Sequence, residues 1–312
     1  MFKKRIYSGA ILILGLNQLI ELIAYSIPYS YFPLYAISLG APVASIGWFS
    51  SSFMLMSALL ASYFGRLSDR FGRKRLITMG LIGDVIFGAM MGLVPSWEWL
   101  LAVRAINGAV TAAATIPAEA LLVDLAPTDR VGEATGFVLA CGMLGRHIGP
   151  LFGGTIQWLS ISFGLSELDS YRTPYFVDAG FAALSALLIT FGIKETKVEP
   201  AKQVEAPKNK KRIKIPQVYK NLLLCAFILG VGEGFIRPIT SLFFSDVYGV
   251  EPIEIGFIIT LEGFITLLAS WMAGRGSDKF GRKIVIAFGG ILVFPICTAI
   301  PLGATFIIAS ML

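Results

Sequence analysis

The sequence predicts an all-α polytopic membrane protein made of two related helical bundles, the second of them truncated in its tenth helix. Three observations predict it. Apolar residues make up 55% of the chain and charged residues 15%, with a mean hydropathy of +0.74; soluble domains carry roughly 25% charged residues. Apolar runs of about 20 residues recur between charged or Gly/Pro breaks, the length a helix needs to cross a bilayer. The ten residues from Gly65 to Lys74 return almost unchanged, 209 positions later, from Gly274 to Lys283, each copy between two apolar runs.

The first span, 7–31, follows Lys3, Lys4 and Arg5. Asn17, Gln18 and Glu21 interrupt it and it leads straight into further spans, so it reads as an uncleaved helix rather than a signal peptide. Spans at 43–64 and 76–94 flank the charged loop. Spans at 97–122, 135–158 and 174–193 complete a six-helix bundle over residues 1–193. Residues 194–218 are rich in Lys, Glu and Pro without apolar period, which reads as a cytoplasmic linker. The second bundle, 219–312, holds spans at 219–247, 254–273 and 283–300, and a tenth apolar run begins near 303. At the same offset of 209, Gly40 matches Gly249, Ile46 matches Ile255 and Gly47 matches Gly256. Six helices plus six is the plan of a duplicated transporter, so a complete second bundle is expected to need two and a half helices more than this chain contains.

With the N-terminus placed in the cytoplasm, 22 of the 26 Lys and Arg residues fall on the inner side. That asymmetry fixes an expected orientation, with the N-terminus and central loop cytoplasmic in a plasma membrane. It also accounts for the basic balance without nucleic acid. Cys141, Cys225 and Cys297 lie in apolar spans and have no metal-ligand spacing, so they read as small core residues. No nucleophile–base constellation and no phosphate-binding loop stands in the spans, so neither an enzyme nor a cofactor or metal is expected.

Three motifs carry a resemblance. The loop has Gly65-x-Leu67-x-Asp69-Arg70-x-Gly72-Arg73-Lys74. The fourth span has Leu100-x-x-x-Arg104-x-x-Asn107-Gly108. The fifth has Gly136, Gly145, Gly149, Pro150, Gly153 and Gly154 in register. On these motifs the chain resembles the major facilitator superfamily, and within it the proton-coupled drug-efflux branch. Asn107 stands where Gln is more usual, and Arg146 and His147 stand where small or apolar residues are.

The resemblance implies that Asp69, Arg73 and Asp124 form a cytoplasmic gate, with Asp278 and Arg282 in the second copy. The residues alone permit a positive-inside topology anchor as well. The fifth-span glycines recur every four residues and make a smooth face for close helix approach, and Pro150 permits a kink; antiport comes from the resemblance. His147, the only histidine, is either structural or a proton carrier.

A charge at a helix centre costs about 2.5–3.5 kcal/mol on insertion scales, so each buried one must pair, face a cavity or change protonation. The resemblance places spans 1, 4 and 7 around the central cavity. They carry Glu21, Arg104, Glu119, Glu233 and Arg237. Arg104 and Glu119 are roughly 60° apart around an ideal helix and so share a side. Glu21 or Glu119 is the expected coupling acid, with Arg104 modulating it. Glu233 and Arg237 have the four-residue spacing of an ion pair. Asp84 sits on a helix expected to pack rather than line, and Asp178 is expected at the membrane interface. The aromatic segment from Tyr25 to Tyr35 fits either substrate stacking or an interfacial belt, with the belt preferred. The expected function is monomeric, proton-coupled efflux of a hydrophobic or cationic small molecule across the bilayer. The alternatives are a sugar or organic-acid symporter or facilitator, and a non-transporting fragment.

Overall fold

A computed structural model of the chain describes residues 9–194, 217–280, 284 and 287. Among these it is helical throughout, with short turns. The elements are α1 (Gly9–Ser26), α2 (Phe32–Ser38), α3 (Ile46–Phe71), α4 (Arg73–Met91), α5 (Trp97–Leu125), α6 (Val131–Ser162), α7 (Glu167–Gly192), α8 (Gln217–Ile236), α9 (Thr240–Tyr248) and α10 (Pro252–Phe280). The first span is therefore α1 with α2, the next five are α3 to α7, the seventh is α8 with α9, and the eighth is α10. The ninth span apart from residues 284 and 287, the tenth span, the linker interior and Cys297 lie outside the described residues.

Among the described residues, six stretches are long and apolar enough to cross a membrane: Gly9–Ser30, Val43–Phe71, Trp97–Leu125, Glu167–Gly192, Tyr219–Tyr248 and Pro252–Ala269. The interleaved α4 and α6 fall short of that measure. The first opens on Arg73, Lys74 and Arg75 and carries Asp84; the second is glycine-rich and carries Arg146 and His147. Both are long helices of the bundle. α4 lies against α5 and α7, and α6 against α1 and α10.

Both first spans break at a proline. A 3-10 turn over Ile27–Ser30 contains Pro28, and another over Arg237–Ile239 contains Pro238. A proline removes one helical donor and crowds the preceding turn, so the α-helix stops there. Each broken span then closes on a glycine at positive φ, Gly40 at 91° and Gly249 at 67°, a backbone that L side chains resist. Ile46 and Ile255, the next matched pair, are both buried. The duplication read in the sequence thus returns as repeated backbone geometry.

The first bundle buries two separate apolar cores. One gathers Ile11 and Leu14 with Ile77, Leu81, Leu121, Val138, Ile189 and Ile193. The other gathers Ile27, Tyr31 and Tyr35 with Phe49, Met91, Leu100, Val103, Tyr171 and Tyr175. On α1, α4, α5 and α7 alike, the residues between the two cores include polar ones. A polar belt therefore crosses the bundle at mid-depth, and its outer faces are apolar, with Leu59, Met79 and Phe191 exposed. Such faces suit lipid, not water.

Candidate functional site

The belt is built residue by residue from four helices. On α1, Asn17 donates through Nδ2 to Glu21 Oε2 at 3.3 Å and accepts from Ser185 Oγ of α7 at 2.5 Å. Asn17 and Ser185 are fully buried, so this bond joins two helices where water does not reach. On α4, Asp84 Oδ1 accepts from Asn107 Nδ2 at 2.8 Å and from Thr111 Oγ1 at 2.9 Å, both on α5. Asn107 and Thr111 are four apart and thus on one face of α5. One carboxylate oxygen spans them.

Arg104 lies one turn from Asn107 and is 9% exposed. Its guanidinium carbon stands 4.6 Å from the ring centre of Phe53, 5.6 Å from Phe32 and 5.7 Å from Tyr25. Among the described residues no carboxylate lies within 4 Å of it. A planar guanidinium held by ring faces keeps its charge at a buried site through the rings' quadrupoles. Gly108, the last residue of this motif, meets the backbone of Phe53 so closely that a Cβ there has no room. The three motif residues therefore do three things: Arg104 enters the aromatic cage, Asn107 ties down Asp84, and Gly108 lets α3 approach.

The glycines of α6 divide between two partners. Gly145, Gly149 and Gly153 lie against the backbone of α1 and the turn after it, at Leu19, Ile23 and Ile27. Gly154 lies against Pro252 and Ile253 of α10, and Gly256 of α10 lies against Pro150. Thr260 Oγ1 donates to the carbonyl of His147 at 2.6 Å. One helix thus holds α1 on one face and the second bundle on the other. Gly136, in the same motif, faces open space. The His147 ring Nδ1 is 2.8 Å from the Met143 carbonyl, and the ring packs against Gly263.

At the other end of the bundle, Gly72 turns the chain between α3 and α4 at φ 98°. The Arg73 Nε then lies 2.8 Å from Asp124 Oδ2 at the end of α5, and its Nη2 lies 3.6 Å from Asp69 Oδ1. The structure brings these three expected partners together. Arg70 is exposed. Gly65 lies within α3, where a Cβ would make an ordinary 3.7 Å contact with Ile116, so only Gly72 of the pair needs to be glycine.

Several expectations change. Glu119 is exposed while Arg104 is buried, and Pro117 lies between them in α5. Glu21 is half-buried and belongs to the belt. Asp84 is part of the belt as well, so its helix does more than pack. Asp178 is half-buried, and its Oδ2 faces Gly88 of α4, at 3.3 Å from where a Cβ would stand. The preferred interfacial belt for Tyr25–Tyr35 gives way to burial, because the break at Pro28 turns Tyr31 and Tyr35 inward onto Tyr171 and Tyr175. Arg237 opens the 3-10 turn one residue after α8 ends, and its guanidinium stands 5.8 Å from the Tyr29 ring. The spacing from Glu233 therefore crosses a change of helix type. The side chains of Glu233 and Asp278, and Arg282 entirely, lie outside the described residues.

Residues 14–312 match the family model described as Major Facilitator Superfamily. The multi-drug resistance efflux pump PmrA of Streptococcus pneumoniae is 28% identical over 284 residues, spanning 87% of this chain and 68% of that protein. The multidrug resistance protein MdtG of Enterobacter lignolyticus is 31% identical over 292 residues, spanning 89% and 66%. Among solved structures, a bacterial homologue of the human lysosomal transporter Spinster matches with a TM-score of 0.77 at 22% identity, over 99% of this chain and 70% of that one. A D-xylose–proton symporter matches with a TM-score of 0.69 at 18% identity, over 97% and 77%.

Proposed function

The chain belongs to the major facilitator superfamily, whose members are multi-pass membrane transporters of small molecules, and on that footing we propose that it exports a hydrophobic or cationic compound in exchange for protons. It works as a monomer with its N-terminus and central loop in the cytoplasm. The relative named as a multi-drug resistance efflux pump and the one named as a multidrug resistance protein support export.

The observation that carries the reading is the double contact of α6. The helix is locked to α1, which bears Glu21, and to α10, which begins the contact with the second bundle. A change in charge at Glu21 alters how α1 sits, and α6 passes that change across the junction. Rocking of two bundles around a mid-depth site then alternates access. While Glu21 is ionised it supplies a negative charge on α1 that draws in a cationic substrate. Protonation of Glu21 removes that counter-charge, so proton and cationic substrate compete for the same surroundings. Arg73, Asp69 and Asp124 form the cytoplasmic gate by tying the start of α4 to the ends of α3 and α5, with Asp278 and Arg282 as its repeat. The remaining glycines of the motif, Gly136 aside, supply the smooth contacts on which this movement depends.

The test is flux in proteoliposomes containing the purified full chain, with ethidium as the probe under an imposed pH gradient. Ethidium movement that collapses with a protonophore and is lost in Glu21→Gln is the expected result. A chain that leaves ethidium in place while taking up a sugar or an organic acid with protons would replace export by symport.

A further inference from the structure

We propose that the rings of Tyr25, Tyr29, Phe32 and Phe53 form the subsite that receives a flat organic cation, and that Arg237 of the second bundle occupies part of it until that cation arrives. The proposal rests on the export reading above and narrows its substrate to a cation that can stack on rings.

The rings form one continuous cluster. Tyr25 meets Tyr29 edge to face at 5.6 Å and meets Phe53 at 5.6 Å. Phe32, at the start of α2, shares the Arg104 guanidinium with Tyr25 and Phe53. The cluster therefore already holds two cations of the chain itself. Arg104 is buried and lies against three rings. Arg237 is exposed and lies against Tyr29, at 5.8 Å. A ring face attracts a cation more strongly the less water reaches the pair. Arg104 is thus the firmly held cation and Arg237 the exchangeable one. Tyr25, Tyr29 and Phe32 are only half-buried, whereas Tyr31 and Tyr35 are sealed inside the first bundle, so part of each cluster ring stays accessible to a ligand.

The cluster stands at the seam between the bundles. The offset of 209 carries Pro28 onto Arg237 and α3 onto α10. The contacts follow that symmetry: the Ile27–Ser30 turn lies against α10, and the Arg237–Ile239 turn lies against α3. Each bundle's proline break therefore meets the second span of the other bundle. Charge comes from α1. Asn17, Glu21 and Tyr25 are spaced by four and stand on one stripe of that helix. A positive charge stacked on Tyr25 and Tyr29 has the carboxylate of Glu21 one helical turn away.

A cation whose charge is spread over a flat ring system fills the ring face that Arg237 holds and also buries apolar surface that a guanidinium lacks. It takes the place of Arg237 with no covalent change, and one contact between the bundles is released. The cation thereby favours the state in which the seam is free, which is the differential affinity that alternating access requires.

Equilibrium binding of ethidium to the purified full chain, read by fluorescence anisotropy with no gradient, tests the subsite apart from transport. Arg237→Gln removes the resident cation at an exposed position and should tighten ethidium binding about threefold. Tyr29→Leu should weaken binding about tenfold, and Tyr29→Phe, which keeps the ring face, should recover most of that loss. In the Tyr29→Leu background Arg237→Gln should gain nothing, because the two residues share one ring. Phenanthridine, flat and neutral at neutral pH, should bind at least about tenfold more weakly than ethidium. Ethidium binding no tighter in Arg237→Gln than in wild type overturns the proposal, as does a gain that persists without the Tyr29 ring, or phenanthridine binding as well as ethidium. If binding responds as expected while the wild-type chain moves no ethidium under a pH gradient, the export reading fails and the cation subsite stands.

Discussion

The α6 motif can be split by one methyl group. In Gly149→Ala the new Cβ would sit 2.5 Å from the Ile23 carbonyl and 3.2 Å from the Ile27 amide, and closer still to Ser26 Oγ. Ser26 is itself bonded to the Leu22 carbonyl at 2.6 Å, so it does not swing clear without losing that partner. Two of the three obstacles are backbone atoms of a packed helix. Relief requires α1 and α6 to separate by about 1 Å, the difference between these distances and a normal contact. Overpacking of this kind costs about 1–3 kcal/mol. Gly136→Ala is the internal control. That glycine faces nothing within 4 Å, so alanine there gains helix propensity, about 0.5–1 kcal/mol. Thermal unfolding of the purified chain in detergent should place Gly149→Ala about 2–12 °C below wild type and Gly136→Ala at or slightly above it, using roughly 2–4 °C per kcal/mol. Gradient-driven flux should fall only in the former. Equal melting temperatures for the two variants would refute the close approach of α1 to α6 and with it the route from Glu21 to the second bundle.

Asn107→Leu should cost about 1–3 kcal/mol, because Asp84 is left with Thr111 alone; Asn107→Ser, which keeps a donor, should recover part of the loss, as melting curves will report. Gly72→Ala forces a side chain onto a backbone at φ 98°, at about 1–3 kcal/mol, and should lower the yield of folded protein in membranes more than Gly65→Ala does. Arg104→Lys keeps the charge but exchanges a flat ion that matches three ring faces for a compact, strongly hydrated one; ethidium flux should drop at least fivefold while the melting temperature moves by only a few degrees.

The repeats of the fold were legible because they rest on local chemistry. A glycine at positive φ, a proline break and a charged turn each leave a mark within a few residues, and two copies 209 apart expose the duplication without any contact being known. The site was legible only in part. Arg73, Asp69 and Asp124 could be grouped because two of them share a turn and the third ends a helix on the same side. The belt could not be assembled in that way. Asn17 and Ser185 are 168 residues apart, and Asp84 and Asn107 sit on different helices; periodicity assigns a residue to a face but does not say which helix covers that face. The same limit hid the exposure of Glu119: an ideal helix puts it on the Arg104 side, whereas burial along α5 is set by which neighbours lie beside each residue. Depth is the stronger guide here than helical angle. The belt residues fall at matching depth between the two apolar blocks of α1, α4, α5 and α7, so the spans aligned by depth bring Glu21, Asp84, Asn107 and Asp178 to one level.

That depth alignment also explains why the bundle tolerates so many polar groups in an apolar setting. Each apolar core closes one end, and α4, α5 and α7 cross both. Polar groups between the cores bond one another across helices. Where donors and acceptors match, as at Asp84 and at Asn17, the belt is a cross-brace and stiffens the bundle. A bundle braced in this way can tilt as one body, which is what rocking between two bundles requires of each half.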